Sequence, residues 1–506
     1  MRYFLLMTVA SWLFLPQVLA EEPAAPKDES VAIDTETNEK IQEPSKILTI
    51  ETTENHVAVS NESHTLIAAM IGAYKNNPDL QQKRHAVLAT HEQYVQATAG
   101  WRPNITLGGS ITGNARSVSG NSKDADGPSV GTSGSSANTR EGNLQLTQNL
   151  YNGGATTADI SKADQSARSA WASLQSAEQN ILFSAVKAFL DLLSQYSQVE
   201  LYKANKIALQ KNYESAVEKR NIGEETQTQV ANAEAKLAEA EAQLLTAEAQ
   251  LEGLKAAYTQ ITGLQPAAQM KKPEPFLNLL PADLKSAVQL AKDQHPDVIA
   301  AQFDHLVAQS ETQRIGGGLL PTVNVSATSS RNESRTSTST VSSDRDYRSK
   351  DYYTDNRVML EIKVPLYEGG SVRSQKRQAH ETAVSKRVAI ETARTQVIQA
   401  AIQAWQNFQA AKNNIENYQK QVKASQVSLE GTQQEMMVGT KILLDVLNAQ
   451  AALLEAQLKL VQAEQAYALE SFRLMAAVGL LNARHLKLQV DYFNPESHYQ
   501  ITSGKF

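Results

Sequence analysis

The sequence predicts an internally duplicated, mainly α-helical chain with a β-barrel portion, in which long coiled-coil helices follow β-hairpins. Three observations lead to this prediction. Glycine and proline landmarks recur in the two halves of the chain at a nearly constant offset. Long segments without proline carry apolar residues at helical spacing, and four other segments alternate apolar with polar residues, as strands do.

The chain begins with a segment typical of a secretory signal peptide, at residues 1–20. Arg2 precedes an apolar run, and the segment ends with the small residue Ala20. The run is too short to cross about 30 Å of hydrocarbon comfortably, and Glu21 follows it at once. We therefore expect an exported chain whose mature form starts with a polar, disordered leader at 21–63.

Composition excludes several classes of site and partner. The 506 residues include no cysteine, so disulfides, thiolate metal sites and an acylated N-terminal cysteine are excluded. The net charge of −6, without Lys/Arg blocks interleaved with aromatics, argues against nucleic acid as a partner. Beyond Ala20 no run of 18 apolar residues exists, so a mature chain that crosses a membrane must use strands.

The landmarks define two repeats and their connections. Four landmarks of the first half recur in the second half, the first two after 218 positions and the last two after 216. The pairs are Pro78 and Pro296, Pro103 and Pro321, Gly154 and Gly370, and Gly223 and Gly439. We expect repeat 1 at 64–262, a connector at 263–283, repeat 2 at 284–480 and a C-terminal tail at 481–506.

Each repeat is predicted to run helix, hairpin, long helix, turn, long helix. After a helix at about His64–Gly100, repeat 1 has a hairpin at 103–150 and long helices at 154–222 and 226–262. Repeat 2 starts with a helix and has a hairpin at 321–366 and long helices at 370–437 and 441–480. In the helix at 226–262, the seven-residue spacing of Val230, Leu237 and Leu244 predicts a coiled-coil seam.

The hairpins are predicted to have strands of roughly 9–11 residues, the length of a tilted transmembrane strand. Gly/Ser/Asp-rich Ser117–Asn138 is expected to be the loop of the first hairpin, and a Ser/Thr/Asp/Arg-rich stretch that of the second. The alternative is an amphipathic hairpin lying on a soluble core.

Two glycine pairs mark the change from strand to helix. They are Gly153 with Gly154, and Gly369 with Gly370. Glycine adopts backbone angles that other residues reach only at a cost, and a sharp strand-to-helix turn needs such angles.

The strand count predicts an oligomer. One chain supplies four strands, whereas closed membrane barrels begin at about eight. An open sheet in hydrocarbon leaves backbone groups unpaired, at several kcal/mol each. Three chains would form a shared barrel of about twelve strands with room for a lumen.

The chain resembles the TolC family of outer-membrane channels over about residues 64–482. The resemblance depends on the duplication, on Leu-Tyr-x-Gly-Gly at 150–154 and 366–370, and on the run at 438–449. It implies a homotrimer with a twelve-stranded barrel in outer-membrane lipid and a long periplasmic α-barrel. It also implies an equatorial collar, which the equatorial connector at 263–283 and the equatorial tail at 481–506 would form. It also implies docking to a periplasmic adaptor (membrane fusion) protein and an inner-membrane pump of the ABC or RND type.

The resemblance also implies a periplasmic gate near the start of the last long helix. The matching positions are Asp445 and Asn448, and three copies of Asp445 would form a cation-attracting ring. Asp445 is alternatively a first-turn carboxylate favoured by the helix dipole. Asn448, Gln229 and Met436 depart from the residues common in the family, which raises the question of a Lys441–Gln229 hydrogen bond instead.

The turns between the paired long helices would face the adaptor. They contain Ile222 and Gly223 in repeat 1, and Val438, Gly439 and Thr440 in repeat 2. A turn between helices needs glycine in any case, so helix capping also accounts for Gly223 and Gly439.

The sequence lacks the motifs of an enzyme or a cofactor site. Its nine histidines show no metal-ligand spacing, and no nucleophile elbow or phosphate-binding loop occurs. We therefore expect no catalysis, no cofactor and no metal. The alternative function is that of a periplasmic coiled-coil adaptor or scaffold without a pore, and the cargo of a channel stays open between proteins and small molecules.

Overall fold

The computed structural model describes residues 65–124, 127–267, 269–273, 280–340 and 345–494. The predicted signal peptide at 1–20, the leader at 21–63 and the end of the tail at 495–506 lie outside the described residues.

The described residues follow one order of elements twice. Repeat 1 consists of α1 Leu66–Asn76, α2 Pro78–Thr98, β1 Asn104–Asp124, β2 Gly127–Asn152, α3 Ala155–Asn221 and α4 Gln227–Thr262. Repeat 2 consists of α5 Leu284–Gln294, α6 Pro296–Gly317, β3 Thr322–Thr340, β4 Arg345–Lys363, α7 Ser371–Met437 and α8 Leu443–Ala477. The duplication inferred from the landmarks is thus present in the fold.

The single helix predicted at about His64–Gly100 is wrong, because α1 and α2 are separate helices that meet at Asn77. Pro78 disfavours helical backbone angles at the residue before it and suits the first position of a new helix. The Asn77 side chain caps α2, since its Oδ1 accepts hydrogen bonds from the N–H groups of Asp79 at 3.0 Å and Leu80 at 3.3 Å.

His295 caps α6 in the same way in repeat 2. Its Nδ1 accepts a hydrogen bond from the N–H of Asp297 at 3.2 Å, so the imidazole must be neutral to cap. Burial lowers the pKa of His295, and the negative charge of Asp297 opposes that shift only in part.

We expect the stability that this cap contributes to decrease as the pH is lowered. Because the folded chain binds the His295 proton less tightly than the unfolded chain, the contribution is complete above the ordinary pKa of about 6.5 and declines below it. His295→Asn, which copies Asn77, should remove this part of the pH dependence, about 1 kcal/mol. Thermal unfolding of both proteins at pH 8 and pH 5 measures it. If the variant lost as much stability between pH 8 and pH 5 as the natural chain does, the assignment to His295 would be contradicted.

The four strands form one antiparallel sheet in the order β1-β2-β3-β4. The strands contain 21, 26, 19 and 19 residues, so the prediction of roughly 9–11 is wrong. The stretch Ser117–Asn138, expected to be a loop, is mostly paired strand, as in Ser117↔Gly134. Serine and glycine carry the same backbone donors and acceptors as other residues, so a hairpin ladder can continue through a stretch of loop composition.

The two hairpins share one register. Ile105 pairs with Leu146 in the first hairpin, and Val323 pairs with Ile362 in the second. These partners are shifted by 218 and 216 positions, the same offsets as the sequence landmarks. The two repeats are therefore equivalent strand by strand.

The sheet leaves one edge of β1 and one edge of β4 without a strand partner among the described residues. Large apolar side chains on both strands are exposed, including Leu107, Ile111, Val358 and Ile362. A sheet with two open, apolar edge strands is a template for pairing with another chain.

The largest apolar core joins the middle of α3 to α1, α4, α8 and the start of the tail. Its fully buried members include Leu182, Phe189, Tyr258, Phe472 and Leu481. Met270 and Leu280, both in the connector, pack against it. Within the described ranges, no helix is both long and apolar enough to cross a membrane.

Candidate functional site at the tips of the long helices

Two equivalent turns connect the long helices, one between α3 and α4 and one between α7 and α8. Gly223 and Gly439 occupy them with φ of +83° and +80°. The N–H of Glu224 donates to the carbonyl of Lys219, and the N–H of Thr440 donates to the carbonyl of Glu435, both at 2.9 Å. This bonding terminates a helix with a left-handed residue, so glycine is needed there for capping.

The turns carry exposed apolar side chains, which we call the tip surface. It consists of Ile222, Met437, Val438 and Ile442. Ile222 is 71% exposed and Val438 is 75% exposed, well above a typical isoleucine or valine in a folded chain. A contiguous exposed apolar surface, unlike a single exposed apolar residue, is suited to contact with another protein.

Asp445 lies in the first turn of α8, where it is half-buried. Its Oδ2 accepts a hydrogen bond from the N–H of Ile442 at 3.2 Å. In repeat 1 the partners are reversed, since Thr226 Oγ1 accepts from the N–H of Gln229 at 3.3 Å. Each repeat therefore makes one half of a capping box, and the carboxylate of Asp445 has a structural role whether or not it also faces a pore.

The other predicted gate residues lie in different surroundings near the tips. Met436 packs against the apolar cluster that contains Val230 and Leu447, at the junction of the two tips. Lys441 and Asn448 are exposed. Gln229 Oε1 is buried and has no hydrogen-bond partner within the described chain, so the Lys441–Gln229 bond does not form in one chain.

A polar link behind the tips was missed in the sequence. Asn212 donates to Gln450 Oε1 at 3.0 Å, and Gln450 Nε2 donates to Asn205 Oδ1 at 3.2 Å. It ties α8 of repeat 2 to α3 of repeat 1. The available signal was Gln450 itself, which interrupts the apolar stripe of Leu443, Leu447 and Leu454 on one face of α8.

The two strand-to-helix glycine pairs have the left-handed angles expected for them. Gly153 and Gly369 have φ of +66° and +64°, and Gly154 and Gly370 have +80° and +82°. Of these four glycines, only Gly153 would place an added Cβ close to another element of the described chain, at the carbonyl oxygen of Gly317, the last residue of α6. The turn of repeat 1 is thus also a packing contact between the two repeats.

No cluster of three or more metal-ligating side chains occurs in the described part of the chain.

Comparison with known proteins matches the model of the family "Outer membrane efflux protein" to residues 72–264 and 287–480, one segment in each repeat. The chain is 30% identical over 444 residues to outer membrane efflux protein BepC of Brucella suis, covering 88% of this chain and 91% of that protein. It is 24% identical to outer membrane protein TolC of Escherichia coli, covering 84% of each.

Solved structures show the same fold. The CmeC outer membrane channel of Campylobacter jejuni superposes with a TM-score of 0.66 at 16% identity, covering 87% of this chain and 89% of that one. The outer membrane protein VceC of Vibrio cholerae gives 0.62 at 20% identity, covering 82% and 96%. With both repeats matched by the family model and the relatives covered nearly end to end, the chain belongs to the family of outer membrane efflux proteins, the TolC family that the sequence resembles.

Proposed function

We propose that three copies of this chain form the exit channel of a tripartite efflux or type I secretion system. The channel passes cargo from an inner-membrane pump across the periplasm and the outer membrane. The observation that carries the proposal is the four-stranded sheet with two open edges, built on two equivalent repeats. Three such sheets supply about twelve strands, enough for a barrel with a lumen.

The proposal extends to the partners of the chain. Residues 1–20 direct export, the four strands contact outer-membrane lipid, and α3, α4, α7 and α8 extend into the periplasm. The tip surface there presents Ile222 and Val438 to a periplasmic adaptor, which links the channel to the pump. The equatorial connector and tail, whose Leu280 and Leu481 join the largest core, form a collar around the helices.

Both cargo classes have support among the relatives. BepC is named an efflux protein, whereas AprF of Pseudomonas aeruginosa is named an alkaline protease secretion protein and is 23% identical over 62% of this chain. The proposal therefore includes both small molecules and proteins, with the choice made by the inner-membrane pump.

Single-channel recording in planar bilayers, together with the mass in mild detergent, tests the proposal. We expect discrete, small, cation-selective conductance steps from a species with the mass of three chains. A monomer that stays in solution without detergent and passes no current would favour the rival function, a periplasmic adaptor or scaffold without a pore.

Asp445 is proposed as the carboxylate of the periplasmic gate, with Asn448 and Lys441 at the same end of α8 and Gln229 and Met436 beside it. Three aspartates around a narrow axis attract and retain divalent cations. We predict that Asp445→Ala weakens block of the open pore by divalent cations. Current measured against cation concentration gives the effect.

Asp445→Asn is the matched variant for this prediction. Its side-chain oxygen can still accept the hydrogen bond from the N–H of Ile442, so the cap of α8 stays while the charge is lost. If the ring charge causes the block, both variants weaken it equally. Unchanged block in Asp445→Asn would remove the charge of Asp445 from the gate.

A further inference from the structure

Within the chain, the two repeats contact one another along their strands and along the helices that adjoin the strands, and we call this surface the inner joint. There β2 pairs with β3, and α3 packs along α6. Because the repeats are equivalent, β4 and α7 present a second surface of the same kind, and β1 and α2 present its complement. Neither surface has its counterpart within the described chain, and we call the pair the open joint.

Equivalent residues are more exposed at the open joint than at the inner joint. Leu150 and Tyr151 at the end of β2 are 50% and 41% exposed, whereas the equivalent Leu366 and Tyr367 are 92% and 87% exposed. The reason is that β2 stays paired with β3 as far as Asn152, whereas β4 ends at Lys363, five positions before the equivalent residue.

The same contrast continues along the helices. Ala172 of α3 is 1% exposed, and the equivalent Val388 of α7 is 61% exposed. Val388, the larger of the two apolar side chains, is thus exposed at the position where Ala172 is covered. Sheet and helix together present an uncovered surface whose covered form is already visible at the inner joint.

We propose that a second copy of this chain covers the open joint in a fixed register, with Leu360 directly opposite Ile111 of the next copy. The register follows from the inner joint, where Leu144 pairs with Ser329. Moving the first partner forward by 216 positions and the second back by 218 gives Leu360 and Ile111. The inference rests on the homotrimer proposed above and specifies its contacts.

This register brings apolar side chains of the two edges together on one face of the sheet. Leu360 meets Ile111, Val364 meets Leu107, and Tyr367 meets Ile105. All six are exposed in the single chain. Directly opposed apolar and aromatic pairs are the unit by which antiparallel strands stabilise one another.

On the other face, the register sets a charge pair. Thr139 pairs with Ser334 at the inner joint, and the equivalent residues at the open joint are Asp355 and Arg116 of the next copy. Opposite charges directly across two antiparallel strands stabilise the pairing, and like charges oppose it.

The helices set a second charge pair. At the inner joint, the hydroxyl oxygens of Ser161 on α3 and Ser310 on α6 lie 3.1 Å apart. The equivalent residues at the open joint are Arg377 on α7 and Glu92 on α2 of the next copy. A guanidinium therefore faces a carboxylate where the inner joint has two serines.

The two joints also differ where the inner joint is charged. Lys162 lies 2.8 Å from Glu311, and Arg314 lies 3.6 Å from Asp159. At the open joint all four equivalent positions are glutamine. They are Gln378 and Gln93 for the first pair, and Gln96 and Gln375 for the second.

The two joints therefore carry different charge pairs on one backbone plan. Suppose that β1 and α2 of another chain took the place of β3 and α6 at the inner joint. Lys162 and Asp159 would then both lose their partners. Differences of this kind discriminate between competing pairings. They direct repeat 1 to repeat 2 of its own chain on one side and to repeat 2 of the next copy on the other.

Introduced cysteines test the register, and the natural chain has no cysteine to interfere. Leu360→Cys combined with Ile111→Cys places two thiols on directly opposed residues, within reach of a disulfide. The control combines Leu360→Cys with Leu107→Cys, which lies on the same face but about 13 Å further along the strand.

Under mild oxidation we expect the first variant to give covalent dimers and trimers on a denaturing gel and the control to stay mainly monomeric. Equal or stronger linkage in the control would overturn the register. A species of three chains that conducts but does not link would also overturn it and leave the proposed channel standing. A non-conducting monomer would instead overturn the proposed function on which the inference rests.

Charge reversal tests the helix pair separately. We expect Arg377→Glu to raise the concentration at which the trimer dissociates by about threefold for each joint. Adding Glu92→Arg should restore the original value, since the pair is then reversed and not lost. A double variant no better than the single one would overturn the pairing of Arg377 with Glu92.

Discussion

Replacing Gly153 by alanine is expected to destabilise the folded chain by about 2–5 kcal/mol. A Cβ at this position would lie 2.2 Å from the carbonyl oxygen of Gly317, which belongs to backbone and cannot rotate away. Overpacking of this kind costs about 1–3 kcal/mol or more. The left-handed backbone, with φ of +66°, adds about 1–2 kcal/mol for any residue with a Cβ.

Gly154→Ala is the matched control, since the next residue in the same turn has φ of +80° but an added Cβ there would meet no atom of the described chain within 4 Å. It should cost only the backbone part, about 1–2 kcal/mol. Denaturant unfolding followed by circular dichroism measures both variants. Equal losses would mean that the turn relaxes and that the contact with Gly317 contributes nothing.

Phe189→Ala is expected to cost about 3–5 kcal/mol, the usual loss for a phenylalanine removed from a closed core. The ring is fully buried in the core that joins α3 to α8 and to Leu481 of the tail. Its loss leaves a cavity where helices of both repeats meet. We therefore expect earlier unfolding of the whole chain and faster hydrogen exchange in the tail.

Phe189→Leu separates the cavity from the loss of an aromatic ring. It keeps most of the buried volume and should cost about 1–1.5 kcal/mol. Thermal unfolding and hydrogen exchange, measured on both variants, give the comparison. If Phe189→Ala cost no more than Phe189→Leu, the core would have to collapse onto the space left by the ring.

The repeated landmarks predicted the plan of the fold because they mark backbone positions with few alternatives. Gly154 and Gly370 need left-handed angles, and Pro78 and Pro296 suit the first turn of a helix. Such positions restrict the residue type strongly, so they reveal both the duplication and the places where strand changes to helix.

The strand lengths could not be predicted in the same way. In Ser117–Asn138 most of the side chains are small or polar, and no alternation of apolar residues marks the strand. What extends it is the ladder of backbone hydrogen bonds to a partner strand, which depends on pairing and not on composition.

The candidate site was predictable only where local chemistry defines it. Gly223 and Gly439 were found because helix-to-helix turns require glycine. The link between Asn212 and Gln450 joins residues 238 positions apart, and no local pattern indicates which polar side chain in a long helix will find such a partner. The gate role of Asp445 remains a prediction, since a single chain displays only its capping bond.

The inner joint differs from the open joint in one further respect, the covalent tether at 263–283. A tether of this length keeps the two repeats of one chain at an effective concentration on the order of millimolar, however dilute the solution. The open joint has no tether, so its occupancy depends on how many copies share the same membrane. On dilution, the assembly should therefore come apart between chains first, releasing single chains whose two repeats are still docked.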